Sequence, residues 1–174
     1  MAVWGTVCSA DAIADSYLWR LRQKIGNALV LMPGAMVALQ RADGQVLLTK
    51  RTDDRTWCLP AGAAEPGGSF ARTAIDELAE ETGIEVEEAD LTPFGCLSEA
   101  ELHTIHYPNG DLTHCFALCF LATAWQGTVK LDEGEATDAR FADLRTPPEP
   151  LHLPSAHALE LLAAYGRSGK FQVK

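Results

Sequence analysis

The spacing of apolar positions changes several times along this chain, and each change marks a different element. At 11–25, Ile13, Tyr17, Leu18, Leu21 and Ile25 recur at helical intervals, with Arg20, Arg22 and Lys24 toward the end where cations complement the helix dipole. An amphipathic helix is expected there. Two apolar runs follow at 35–40 and 45–51, separated by a turn containing Asp43 and Gly44, and together they predict two antiparallel strands. The stretches 57–62 (WCLPAG) and 65–68 (EPGG) carry enough Pro and Gly to predict a tight, shaped loop instead of regular structure.

Helical spacing then returns. Ala71, Ala74, Ile75 and Leu78 form an apolar stripe between Ser69, a suitable N-cap, and Gly83, placed for a left-handed C-terminal cap. Segments 91–107 and 112–125 read as longer strands joined by a turn, where Asn109-Gly110 favours type I′, and Phe141 closes a last strand. The proline-rich 146–154 reads as an ordered surface connection. Ala158, Leu159, Leu161, Leu162 and Tyr165 predict a final helix. The order of helix, strands, helix, strands and helix points to an α/β (α+β) sandwich with mixed strands, in one domain over 1–174.

Composition adjusts this picture only slightly. The chain has 174 residues, 47% apolar and 22% charged, with a mean hydropathy of −0.03, which suits a globular protein with its own core. A net charge of −10 disfavours a nucleic-acid polymer as partner. It leaves room for a small phosphorylated ligand, because divalent cations invert the local field of an acidic site. The longest apolar run, 28–39, is broken by Pro33-Gly34, and the N-terminus lacks a basic leader, so no membrane association and a cytoplasmic location are expected.

The five cysteines, Cys8, Cys58, Cys96, Cys115 and Cys119, form no Cys-x-x-Cys pair and read as buried small apolar residues. His103, His106 and His114 flank the 107–111 turn without metal-like spacing. The N-terminal helix is a natural surface for a homodimer.

The chemistry concentrates in the second helix, which holds Asp76, Glu77, Glu80 and Glu81 within six residues. Glu77, Glu80 and Glu81 stand at i, i+3 and i+4 on one face, where like charges repel and also oppose the dipole at the C-terminal end. Hard divalent cations take such oxygen ligands. A solvated acidic face is the alternative on the charges alone.

These residues resemble the Nudix box, a Gly, five residues, Glu, seven residues, then Arg-Glu-apolar-x-Glu-Glu-x-Gly-apolar. Gly62, Glu77, Leu78, Glu80, Glu81, Gly83 and Ile84 match it, and the preceding WCLPAG and the strand ending in Lys50-Arg51 are similar to what Nudix proteins carry there. The resemblance, covering about 26–165, implies a Nudix-type (MutT-like) α/β/α sandwich. It implies hydrolysis of a nucleoside diphosphate linked to another moiety, with Mg²⁺ or Mn²⁺.

Carried over by position, it implies Glu77, Glu80, Glu81 and the Ala61 carbonyl as metal ligands, and Glu77, Glu81 or a late-loop acid, Glu135 or Glu133, in proton transfer. The late acids could equally form a solvated loop. Arg51 is a candidate for substrate phosphate or for an ion pair, and Trp57 for stacking on a base or for packing. Two positions depart from the pattern: Gly68 stands where it has Glu, and Asp76 where it has Arg. In the family these two look like a pair that braces the loop. Arg72, four residues before Asp76, is a candidate for a displaced brace. Added cation binding by Asp76 and weakened catalysis remain alternatives, the last consistent with a nucleotide-binding module without turnover.

Overall fold

The computed structural model describes residues 16–107, 109–132 and 134–174. Helix α1 (Tyr17–Ile25) is followed by strands β1 (Val30–Leu39), β2 (Val46–Arg51), β3 (Trp57–Cys58) and β4 (Ala61–Ala63), then helix α2 (Phe70–Thr82). After it come β5 (Leu91–Leu97), a one-turn helix α3 (Ala100–His103), β6 (Thr104–His106), β7 (Leu112–Ala122), β8 (Ala136–Ala142), helix α4 (Leu153–Ser168) and β9 (Gln172–Val173). The part of the expected first helix at 11–15 lies outside the described residues, as does Cys8.

The strands form two sheets. One has the order β4-β1-β7-β5-β9 with β6 also on β7, and the other the order β3-β2-β8. At its centre β1 runs parallel to β7 for ten residues, from Val30 opposite Thr113 to Leu39 opposite Ala122. The larger sheet is therefore mixed. On one face Met36, Ala38, Phe94, Leu97, Ala117 and Cys119 pack against Ala158, Leu159, Leu161 and Leu162 of α4. On the other, Ala35, Val37, Leu39, Phe120 and Ala122 pack against Ala74 and Leu78 of α2. This α/β/α layering explains why the C-terminal half of β1, residues 35–39, reads as an unbroken apolar run, since both faces of the strand are buried there. Each fully buried leucine in these layers contributes about 1.5–3 kcal/mol.

The structure departs from expectation in several places. β1 and β2 meet at the Asp43-Gly44 turn through a single bridge, Gln40 to Val46, and then diverge into different sheets. Each finds a longer partner elsewhere, β1 in β7 and β2 in β8. Residues 57–63 are two short strands, not a loop, because Leu59-Pro60 interrupts pairing without ending the extended course.

The expected long strand over 91–107 is divided by α3. The turn before β7 has Gly110 at φ 90 and is closed by the Gly110 N–H on the Tyr107 carbonyl at 2.9 Å and the Tyr107 N–H on the Asp111 carbonyl at 3.0 Å. β9, pairing in parallel with Gly95 and Cys96, is too short to signal itself in the sequence.

Candidate active site

Helix α2 forms where its caps predict. Ser69 Oγ accepts the Arg72 N–H at 3.1 Å, and Gly83 ends the helix at φ 66, its N–H bonded to the Ala79 carbonyl at 2.8 Å. With Ala74 and Leu78 fully buried on the sheet, Glu77 and Glu81 are held at the boundary between helix and sheet, half-buried, while Glu80 is exposed.

The two inner carboxyls meet β4. Glu81 Oε1 accepts the Ala61 N–H at 3.1 Å. The Glu77 carboxyl lies directly over Gly62, in the space where any side chain would begin, so only glycine allows this approach. Glu135, half-buried immediately before β8, is held by its carbonyl, which accepts the Thr52 N–H at 3.0 Å. Its charge acts on both Glu77 and Glu81.

Burial pushes the Glu81 carboxyl up to about 8, with Glu77 and Glu135 adding to the rise and the Ala61 N–H opposing it. Burial likewise raises Glu77 to about 7, reinforced by Glu80, Glu135 and Asp76. Three oxygen-bearing side chains thus carry a charge problem that a hard divalent cation would relieve, and their chemistry fits one. Among the described residues no three of them converge tightly enough to enclose an ion. Mg²⁺ in particular usually binds through one or two carboxylates and keeps the rest of its coordination for water and substrate.

The remaining sequence candidates fall in different places. Asp76 pairs with Arg72 on the outer helix face, Nε to Oδ2 at 2.7 Å and Nη2 to Oδ1 at 2.5 Å. Gly68 donates its N–H to the Glu65 carbonyl at 3.0 Å. Arg51 holds Asp53 through Nε at 2.9 Å and Nη2 at 2.5 Å, with Asp54 at 3.6 Å. Burial works against its charge, but Asp53, Cys58 and Asp54 together outweigh burial and keep the guanidinium firmly protonated, close enough to Glu81 to lower that carboxyl slightly.

Trp57 is 2% exposed within the core, with Arg140 4.2 Å from its ring centre and Lys50 at 5.6 Å. Of the two roles considered for Trp57, this burial favours packing. Glu133 lies outside the described residues. Cys58, Cys115 and Cys119 are buried, and burial pushes the Cys58 thiol up to about 12. His103 is fully buried, its ring edge-on to His157 at 5.4 Å, and is not a strand-face residue. The sequence offered no sign of the Ala61 N–H contact. The demand on Gly62 was legible only as a glycine at the start of the box.

The NUDIX domain pattern matches residues 30–162. A Bacillus subtilis protein provisionally named as an 8-oxo-dGTP diphosphatase is 44% identical over 50 residues, covering 29% of this chain and 34% of its own. An RNA pyrophosphohydrolase of Erythrobacter litoralis is 34% identical over 82 residues, covering 47% and 46%. The chain thus spans about a third to a half of the length of these curated relatives.

The crystal structure of a MutT NUDIX hydrolase from Burkholderia pseudomallei superposes with a TM-score of 0.66 at 27% identity, covering 76% of this chain and 98% of that one. With the box glutamates on α2, their contacts to β4 and a domain match over most of its length, this chain belongs to the Nudix family.

Proposed function

We propose that the protein hydrolyses a phosphoanhydride bond in a small nucleoside diphosphate derivative, with Mg²⁺ or Mn²⁺ held by the α2 carboxylates. The observation that carries this reading is the pair Glu77 and Glu81, pressed against Gly62 and the Ala61 N–H with both carboxyls raised. The names of the relatives, an 8-oxo-dGTP diphosphatase and an RNA pyrophosphohydrolase, share the phosphoanhydride bond and differ in what flanks it. The net charge of −10 favours a small substrate over an RNA chain.

In this reading Glu77, Glu80, Glu81 and the Ala61 carbonyl hold the cation. When bound, it neutralises diphosphate oxygens and acidifies a water for in-line attack. Glu135, immediately before β8 and near enough for its charge to act on Glu77 and Glu81, would accept the proton of such a water. Glu77, with a carboxyl near neutrality, and Glu81 are the other groups able to do so.

Arg51, steadied by Asp53, presents a fixed positive charge beside Glu81 for a substrate phosphate. Trp57 takes no part in binding. The chain is read as one Nudix domain in the cytoplasm. A homodimer is read through the exposed Tyr17, Trp19 and Ile25 of α1.

The test is a panel of ADP-ribose, nucleotide sugars, dinucleoside polyphosphates and nucleoside triphosphates, incubated with Mg²⁺ or Mn²⁺ and resolved by chromatography. Metal-dependent release of a nucleoside phosphate from at least one is expected. No product from any of them, with the metal bound, contradicts the proposal.

A further inference from the structure

Helix α1 is attached to the rest of the molecule in an unusual way. None of its nine residues is buried, and Tyr17, Trp19 and Ile25 are each at least 40% exposed. Between the helix and the body runs a groove of about 550 Å³, bordered by Leu18, Leu31, Pro33, Pro66 and Phe70. Apolar packing therefore contributes little to holding α1, and two polar clamps do the work.

At its C-terminal end Arg22 reaches the Leu112 carbonyl at 2.5 Å, Thr113 Oγ1 at 2.9 Å and Asp111 at 3.6 Å. At its N-terminal end the Glu65 carboxylate accepts the Tyr17 N–H through both oxygens, at 3.0 and 3.2 Å, with Arg20 at 3.9 Å. A first-turn N–H has no partner within its own helix, and here a side chain 48 residues away supplies one.

Glu65 also lies in the segment whose shape decides the site. The chain leaves β4, where Ala61 holds Glu81 and Gly62 lies beneath Glu77, and reaches α2 through residues 64–69. That connection is fixed at its start by the Ala64 N–H on the Pro33 carbonyl, and across its turn by the Gly68 N–H on the Glu65 carbonyl, both within 3.0 Å. No side chain at Gly68 steadies it, and the Asp76 carboxylate is turned to Arg72 on the outer face. Apart from the Ser69 cap on α2 itself, the side-chain contacts that this connection makes among the described residues are those of Glu65, and they go to α1.

We propose that Glu65 is a positioning residue for the acidic site: by tying the β4-to-α2 connection to the N-terminus of α1, it holds Ala61 and Gly62 against Glu81 and Glu77. This rests on the metal-binding part of the proposed function. The brace that departs from the helix at Gly68 and Asp76 is supplied instead from α1.

The experiment measures Mn²⁺ affinity of the full chain by electron paramagnetic resonance of free Mn²⁺, without substrate, in wild type, Glu65→Ala and Glu65→Gln. The glutamine keeps an acceptor for the Tyr17 N–H while removing the same charge as alanine does. Expected is a Kd raised about three- to tenfold in Glu65→Ala and within about twofold of wild type in Glu65→Gln, in line with the size of a capping contact. Should the alanine variant not fold, Glu65→Asp, whose shorter arm withdraws the carboxylate, is read in its place and carries the same expectation.

An unchanged Kd in Glu65→Ala, or an equal loss in Glu65→Gln, would overturn the proposal, the second because it assigns the effect to charge alone. Wild type that binds Mn²⁺ but cleaves nothing in the panel removes the hydrolase reading and leaves the Glu65 result standing. Wild type that binds no Mn²⁺ removes both.

Discussion

Replacing Glu81 by glutamine should make the metal-free protein more stable while disabling it. In the folded chain the carboxyl is raised from 4.5 to about 8 by burial and by Glu77 and Glu135. A group whose folded pKa lies above its unfolded value binds a proton more tightly in the native state. Its contribution is therefore most favourable at low pH, and stability falls as pH rises from about 4.5 through about 8.

At one pKa unit per 1.36 kcal/mol, the full cost of ionising Glu81 above that window is at most about 5 kcal/mol. Glutamine keeps an oxygen for the Ala61 N–H, but its buried amide has its own desolvation cost, so a net gain of about 2 kcal/mol is expected at pH near 9. The assay is urea unfolding in EDTA at about pH 5 and 9, wild type against Glu81→Gln. The two should lie close together at the lower pH and separate at the higher one. Saturating Mn²⁺ should then reverse the order, because only wild type gains the full binding free energy. A Glu81→Gln variant less stable than wild type in EDTA at pH 9 would refute the reasoning, since the carboxylate would then be stabilising without its cation.

Other expectations follow from the same geometry. Gly62→Ala places a methyl group where the Glu77 carboxyl lies, and should lower metal-dependent turnover at least about tenfold with a stability loss of about 1–3 kcal/mol, read by kinetics and urea unfolding. Arg72→Ala breaks an exposed i,i+4 pair that touches neither Glu80 nor the loop among its hydrogen bonds, so stability should change by no more than about 0.5 kcal/mol and kcat by less than about twofold. A large loss of activity would restore Arg72 as the brace.

Burial, with His157 adding, pushes His103 down to about 4 from 6.5. The folded state therefore resists protonation, and stability is lost as pH falls below about 6.5, by about 2 kcal/mol at pH 5. His103→Phe should flatten that part of the pH dependence in urea unfolding, and an unchanged slope would contradict it.

Periodic and local signals carried most of the architecture from the sequence. The stripe of α2, its Ser69 and Gly83 caps, β7 and the final helix are all set by nearby residues, and the structure has them where those residues point. Partner choice was less legible. The Asp43-Gly44 turn is present, yet β1 and β2 separate because long-range pairing with β7 and β8 outweighs a short hairpin, and no local pattern encodes that competition.

The site divides in the same way. The i, i+3, i+4 spacing of Glu77, Glu80 and Glu81 announced their shared face. Their different burial depends on β4, which Pro60 and the small residues around it disguised as loop. Trp57 shows the opposite case, an aromatic next to the box whose position suggested a ligand and whose neighbours place it in the core. Glu65 gave no signal at all, because its partner is a backbone N–H remote in sequence.

The central claim is that Glu81 and its neighbours hold the cation on which cleavage depends. It is tested most directly by the metal dependence of turnover on the best substrate of the panel, wild type against Glu81→Gln, with EDTA as the zero point. Wild-type turnover should be absent in EDTA and saturable in Mg²⁺ or Mn²⁺, and kcat should be at least about a hundredfold lower in Glu81→Gln at saturating metal. Cleavage that persists in EDTA, or a Glu81→Gln variant that matches wild type, would contradict it.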